Sequence, residues 1–527
     1  MKKFTRFLAF LLVCSLFCGC VANRKKEAYV PTGDALLMEG EEPEETVDEL
    51  ATQEVTLAYA SDRSMNPLIG VNISNRALFS LIYQGLFAAD SKSQTYPMLC
   101  SHYKVSSDNK VFTVYIETGA RFSDGTALTA QDVLATYQAA KESDYYGGRF
   151  THVLAMDLSG SDSITFQLET PYENFALMLD IPIVKASEVD AEYPVGTGPY
   201  QFVQTETSAY LSRVSDWWCD ATIPARSQTI HLMEATSQSK VRDDFEFGDL
   251  TLAVANPMTD SYAEYLCDFE LWQQETGVFL YLGINSLYSD FFKTEDKTLR
   301  QALTYAIDRD YINENYYNGL AQPTTLPTSP GSVFYNKSLA EKYAFDDMKF
   351  VDALSGITLP QTKDRQDKKM LLLVNSDDSA RLRTARYIAQ HLTSLGLPTG
   401  TLEYGASTSV TYEQVLRAGT YDLYLGQTKL PPTNELTAFF RGWGNLSYGG
   451  ITDGTLYNIT KEALANSGNY YNLNQMVADD AKVIPILFGV NCVYAERGKF
   501  PDLSPSRDNV FFYHLDKTME SAKIDNT

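Results

Sequence analysis

The chain has 527 residues, 44% of them apolar, with 67 acidic side chains against 43 basic ones and a formal net charge of −24. A chain this long exceeds the ~100–200 residues of one ordinary domain, so two or more packed cores are expected. So acidic a body is repelled by nucleic acid and by anionic membrane surfaces; the acidity reads as solubility of a secreted protein and does not by itself point to a cationic substrate.

Lys2, Lys3 and Arg6 precede an almost wholly apolar run from Phe7 to Phe17. The run is too short for a membrane span, which needs about 20 residues, and it fits the core of a signal peptide. It ends in Leu16-Phe17-Cys18-Gly19-Cys20, which resembles a bacterial lipobox with Cys20 as the acylated residue. Cys18 is an alternative acceptor, and a plain secretory signal is a second alternative. Residues 21–52 hold Arg24-Lys25-Lys26 and then Glu41-Glu42-Pro43-Glu44-Glu45, with little to bury. Such a segment is expected to be a disordered acidic tether. A flexible chain of that length spans about 30 Å. The expected location is the outer face of the cell membrane, extracellular or periplasmic, with the membrane contacted through the lipid.

The globular pattern starts at Glu54. Glu54–Tyr59 alternates as a half-buried strand does. Asn75–Phe87 has helical spacing, with Leu78, Leu81, Ile82, Leu86 and Phe87 on one side. Val111–Ile116 is a strand pattern, and Ser123-Asp124-Gly125 a turn. Thr129-Ala130-Gln131-Asp132 resembles a capping box opening a helix to about Lys141. Ser163–Glu169 reads as a strand. Pro194-Val195-Gly196-Thr197-Gly198-Pro199-Tyr200 reads as a rigid turn leading into the strand Gln201–Thr205. Phe279–Ile284 is the next strand, and Asp296–Tyr311 the next helix. Then come the strand Met370–Val374, the helix Ser379–Leu395 stopped by Gly396, and the short strand Thr401–Tyr404. The helix Thr411–Ala418, stopped by Gly419, and the strand Tyr421–Gly426 complete a βαβαβ run. The fold class is α/β with a largely parallel sheet in this part.

Four stretches together resemble family 5 of the bacterial extracellular solute-binding proteins, which serve ABC importers of peptides, dipeptides and nickel. They are Asn66-Pro67-Leu68 with Leu81-Ile82-Tyr83-Gln84-Gly85-Leu86; Phe122 to Val133 around Ser123-Asp124-Gly125; Pro194 to Tyr200; and Leu299-Arg300-Gln301-Ala302-Leu303-Thr304-Tyr305-Ala306-Ile307-Asp308-Arg309. The resemblance covers about residues 54–515 and thins between 340 and 460. It implies a two-lobed clamshell of the periplasmic-binding-protein type 2, with an extra subdomain in the N-terminal lobe. The implied division is lobe I at 53–275 with the subdomain at about 66–185, lobe II at 276–478, and a return to lobe I at 479–527. Ligand would be enclosed between the lobes by hinge closure. The matched motifs read as scaffold: Gly125 and Gly198 as turn geometry, Asp132 as a helix-start residue.

In peptide-binding relatives an aspartate shortly after the strand matching Tyr421–Gly426 pairs with the peptide α-amino group. This chain has Gly426-Gln427-Thr428-Lys429-Leu430-Pro431-Pro432 there. Gln427 stands at the usual tryptophan, Leu430 at the aspartate, and no acidic residue follows until Glu435. A buried ammonium lacking its partner typically costs 2–5 kcal/mol. The resemblance to peptide binders does not extend to this position, and Lys429 is a candidate partner for a carboxylate or phosphate. The candidate ligand-binding residues are Asn72, Gln427, Lys429, Trp443 and Tyr448.

No G-x-S-x-G, H-E-x-x-H or phosphate-loop motif is present, so no catalytic residue is assigned. The five histidines are scattered, and no metal or cofactor is expected. Cys100, Cys219, Cys267 and Cys492 allow up to two disulfides or stay as thiols. The reading is a monomeric substrate-binding lipoprotein of an ABC importer. Its partners are a small-molecule or peptide ligand and the membrane permease, with no nucleic acid. A peptide-sensing or other non-transport binding lipoprotein is the alternative, and a secreted hydrolase a third reading.

Overall fold

Among the described residues, seventeen strands carry the architecture. The structure, a computed structural model, describes residues 54–219, 227–293, 296–442, 444–500 and 503–511. The expected signal peptide, Cys20, the tether and Trp443 lie outside the described residues. In chain order the strands are β1 (Val55–Tyr59), β2 (Phe87–Ala89), β3 (Thr95–Pro97), β4 (Cys100–Val105), β5 (Val111–Ile116), β6 (Val153–Leu158) and β7 (Ser163–Leu168). Next come β8 (Tyr200–Gln204), β9 (Ala209–Arg213), β10 (Thr229–Glu234), β11 (Leu252–Ala255) and β12 (Glu270–Ile284). The last are β13 (Gln322–Pro323), β14 (Met370–Asn375), β15 (Thr399–Tyr404), β16 (Leu423–Lys429) and β17 (Val483–Ala495).

The main sheet runs β15-β14-β16-β12-β17-β11-β1-β10-β9-β8, with β13 on β17. Two long strands, β12 and β17, belong to both of its halves. They pair antiparallel in two blocks, Glu270–Glu275 with Val490–Ala495 and Phe279–Gly283 with Val483–Phe488. Between the blocks the register shifts. There Gly277 has φ +72°, the left-handed region that favours glycine. Thr276 Oγ1 donates to Gly489 O at 2.7 Å and accepts from Val278 N at 3.2 Å, so the break is held by one side chain. Beyond it β12 pairs β16, while β17 pairs β11 on the opposite side. The fold is thus two-lobed, with both connections made by paired strands.

The βαβαβ run is parallel as expected, β14 pairing β15 and β16 in parallel. The whole sheet is mixed, because β12 and β17 return antiparallel. On the β12–β16 seam, Tyr281 faces Gly426 and Gly283 faces Tyr424. Each tyrosine ring covers the glycine opposite, where a Cβ would collide.

An antiparallel sheet, β4-β5-β7-β6, stands apart from the main sheet. The helix Ala130–Glu142 supplies Val133, Thr136, Tyr137 and Ala140 as buried side chains, and Thr129 and Asp132 form the expected capping box. Gly125 is a true turn residue with φ +83°. Gly198 allows close approach: its N–H donates to Ile82 O at 2.8 Å, and a Cβ would sit 2.6 Å from the Ile82 carbonyl carbon.

Two expected helices are corrected. The one read as Asn75–Phe87 spans Ile73–Ile82, and Phe87 opens β2. Gly85 lies against the Asp180 backbone, where a helix has no room. The one read as Asp296–Tyr311 is two helices, Thr298–Tyr305 and Arg309–Tyr316. Asp308 starts the second by accepting from Tyr311 N at 2.9 Å. Asp308→Ala should lower the unfolding free energy by about 1 kcal/mol, read from urea denaturation; an unchanged midpoint would deny the cap any role. The arginines of this motif are anchors. Arg300 donates to Asp480 O at 2.6 Å and pairs with Asp480 at 3.1 Å. Arg309 donates to Pro485 O at 2.8 Å, at the start of β17, and its burial lowers its pKa to about 10. Among the described residues no helix is long and apolar enough to cross a membrane.

Candidate functional site

The break in β12 opens onto a cavity of about 410 Å³. Both lobes line it. Asn72, Ser74 and Arg76 come from the start of the helix Ile73–Ile82, Thr236 to Gln238 from the start of the helix Gln238–Glu246, Gln274, Thr276 and Val278 from β12, Lys429 from the end of β16, and Asn491 from β17. Arg507, Asp508 and Val510 come from the C-terminal segment. That segment is tied down by Gln274 Nε2 donating to Ser506 O at 2.7 Å, and by Arg507 donating to the Leu430 carbonyl.

Asp508 is the hub of the polar wall. Tyr145 Oη donates to its carboxylate at 2.5 Å and Arg149 Nη2 at 2.6 Å. Arg76 approaches to 3.5 Å and Lys429 to 3.7 Å. Arg149 also pairs with Asp180. The Tyr145 ring lies against two cations, with Arg76 Cζ at 3.5 Å and Lys429 Nζ at 3.2 Å from its centre. Burial would push the Asp508 carboxyl up, but Lys429, Arg149, Arg76 and Arg507 together hold it well below the usual range. Asp180 goes the other way, raised by burial that Arg149 offsets only in part. Burial takes the Lys429 ammonium below the ordinary lysine range, with Asp508 opposing and the neighbouring arginines adding to the fall.

Of the residues proposed from sequence, Asn72 and Lys429 line the cavity. Asn72 also caps its helix, accepting from Asn75 N at 3.1 Å. Gln427 is exposed on β16, two positions before Lys429, and is outside the cavity lining. Tyr448 is half-buried with its ring 6.2 Å from that of Tyr424. Leu430 is buried, and its N–H donates to Gly277 O at 2.9 Å. Glu435 lies elsewhere, buried beside His152, whose Nε2 is 3.1 Å from Thr437 Oγ1 and 3.6 Å from Glu435. Tyr172 Oη and Thr433 Oγ1 are 2.6 Å apart beside it.

Sequence reasoning missed Arg76, Tyr145, Arg149, Asp180, Arg507 and Asp508. The one local signal was Tyr145-Tyr146 with Arg149 just after the Ala130–Glu142 helix. Cys100, Cys267 and Cys492 are free thiols. Burial pushes the Cys100 and Cys492 thiols up to about 12, which favours the protonated thiol. Among the described residues no cluster of three or more His, Cys, Asp or Glu could hold a metal ion.

Residues 94–447 match the family model described as bacterial extracellular solute-binding proteins, family 5 Middle. The chain belongs to this family. The four stretches singled out in the sequence resemble the same family. Family 5 relatives include the oligopeptide-binding protein AppA of Bacillus subtilis, 23% identical over 63% of this chain and 65% of its own length. The glutathione-binding protein GsiB of Pectobacterium atrosepticum is 24% identical over 54% of this chain and 58% of its own. The chain thus spans somewhat under two thirds of these relatives. The crystal structure of the ABC transporter substrate-binding protein CtaP of Listeria monocytogenes superposes with a TM-score of 0.67, 18% identity, and coverage of 88% of this chain and 98% of that one. That likeness establishes the shared two-lobed fold.

Proposed function

We propose that this chain is the extracellular substrate-binding lipoprotein of an ABC importer. It captures a small, peptide-like solute between its lobes and delivers it to a membrane permease. The observation that carries this reading is the cavity at the strand crossover, lined from both lobes. Its volume lies within the 300–1,000 Å³ typical of small-molecule sites. Relatives whose names specify oligopeptide and glutathione binding support a solute of this size. The lobe limits expected from sequence, 53–275 and 276–478 with the return at 479–527, belong to this reading; the register shift after Glu275 favours the first of them.

The mechanism is closure about the two crossover strands. Thr276 to Val278 and Gly489 can change backbone angles while the flanking ladders stay paired. A solute touching Lys429 on one side and Ser74 or Ser237 on the other stabilises the closed form by its differential contacts. Cys20, acylated, would hold the body near the permease. The test is transport. Deleting the chain in its host should abolish uptake of the molecule that mass spectrometry finds released from the denatured protein, and Cys20→Ser should shift the protein into the medium. Unchanged uptake in the deletion strain would refute the importer reading.

A further inference from the structure

We infer that the solute carries net negative charge, a carboxylate or phosphate held by Arg507 and Lys429 near the ends of two helices. The inference rests on the reading of this cavity as the solute site and names the class of solute it takes.

Charge comes first. The lining holds three basic side chains, Arg76, Lys429 and Arg507, against one carboxylate, Asp508. This excess stands out in a chain of net charge −24. Asp508 is already engaged by Tyr145, Arg149, Arg76 and Lys429, so it offers nothing to an incoming ammonium. Leu430 replaces the acid that would take a peptide amino group, and Glu435 is turned to His152.

Unmet donors come second. The Arg507 guanidinium gives Nη2 to the Leu430 carbonyl, while its Nε and Nη1 are buried with no acceptor. A guanidinium fork left half empty suits a planar carboxylate or a phosphate. Backbone geometry comes third. Asn72-Ile73-Ser74 and Thr236-Ser237-Gln238 both line the cavity, and both are N-terminal turns of helices, Ile73–Ile82 and Gln238–Glu246. Helix N-termini present N–H groups lacking intrahelical partners and a positive dipole end, which favours an anion. Gln274, Thr276 and Asn491 complete a wall suited to hydroxyl or amide groups on the rest of the solute.

The test begins with the full chain purified from its host without dialysis. Molecules released on denaturation are identified, and the purified protein is titrated calorimetrically with them and with five probes: gluconate, glucose 6-phosphate, glucose, trialanine and spermidine. The released molecule should be a net anion at pH 7. Arg507→Gln and Lys429→Met should each weaken its binding at least tenfold, while circular dichroism and melting stay near wild type. Affinity should also fall as salt rises from 50 to 500 mM. A neutral or cationic released molecule, or an anion whose affinity both variants leave unchanged, overturns the charge assignment and leaves the receptor reading standing. If nothing is released and no probe binds, both readings fall.

Discussion

Asp508→Asn is expected to lower the free energy of unfolding by about 3–5 kcal/mol, the cost of removing one partner from a buried ion cluster. The substitution preserves shape and one acceptor, so Tyr145 can still donate. What it removes is the counter-charge shared by Arg149, Arg76 and Lys429. Asp180 remains to Arg149 alone. The effect should depend on pH in a defined sense. The folded Asp508 carboxyl lies below its unfolded value of about 3.9, so its contribution is present above that pH. It is lost as pH falls through the folded value. Urea denaturation should therefore show the full gap between wild type and variant at pH 7, and a narrowing gap below about pH 4. A gap under about 1 kcal/mol at pH 7 would mean that the arginines find other partners, and that the cluster is not a cohesive element of the cleft.

Gly277→Ala should damage both the crossover and the cleft. The residue sits at φ +72°, where a Cβ costs about 1–2 kcal/mol. The added methyl would also overlap the Arg507 guanidinium. A side-chain end can move, so Arg507 is expected to swing away from the Leu430 carbonyl and out of the cavity wall. Gly125→Ala is the matched control: its φ is +83°, and a Cβ there meets nothing within 4 Å. Both variants should lose stability through the backbone term. Only Gly277→Ala should also lose affinity for the released solute, to about the extent of Arg507→Gln. Equal affinities in the two glycine variants would separate Gly277 from Arg507, and the hinge from ligand capture.

Short-range physics explains which elements were legible. The Thr129–Asp132 capping box, the Gly419 stop at φ +69° and the Val111–Ile116 strand each depend on residues a few positions apart, and each is present. The first nine residues of β12 escaped notice, because Glu270 to Val278 are mostly half-buried and show no alternation. The split helix escaped because Ala306 and Ile307 continue the apolar face across the break, although Asp308 offered a cap. Family motifs led to the fold, yet Arg300 and Arg309 serve as anchors on the β17 end rather than as site residues.

The sequence alone determined the α/β class, the family resemblance and the absence of an acid at Leu430, since each is written in short stretches of neighbouring residues. It also brought Lys429 and Asn72 forward. Only the tertiary structure decided what surrounds them. Arg149 and Asp508 are 359 positions apart, and Lys429 meets Asp508 from the end of β16. A charge cluster assembled from the helix Ile73–Ile82, the segment after the helix Ala130–Glu142, β16 and the C-terminal segment leaves no pattern along the chain. Its cationic excess, inside a strongly acidic protein, is a property of proximity, because Coulomb energy follows distance in space rather than in sequence.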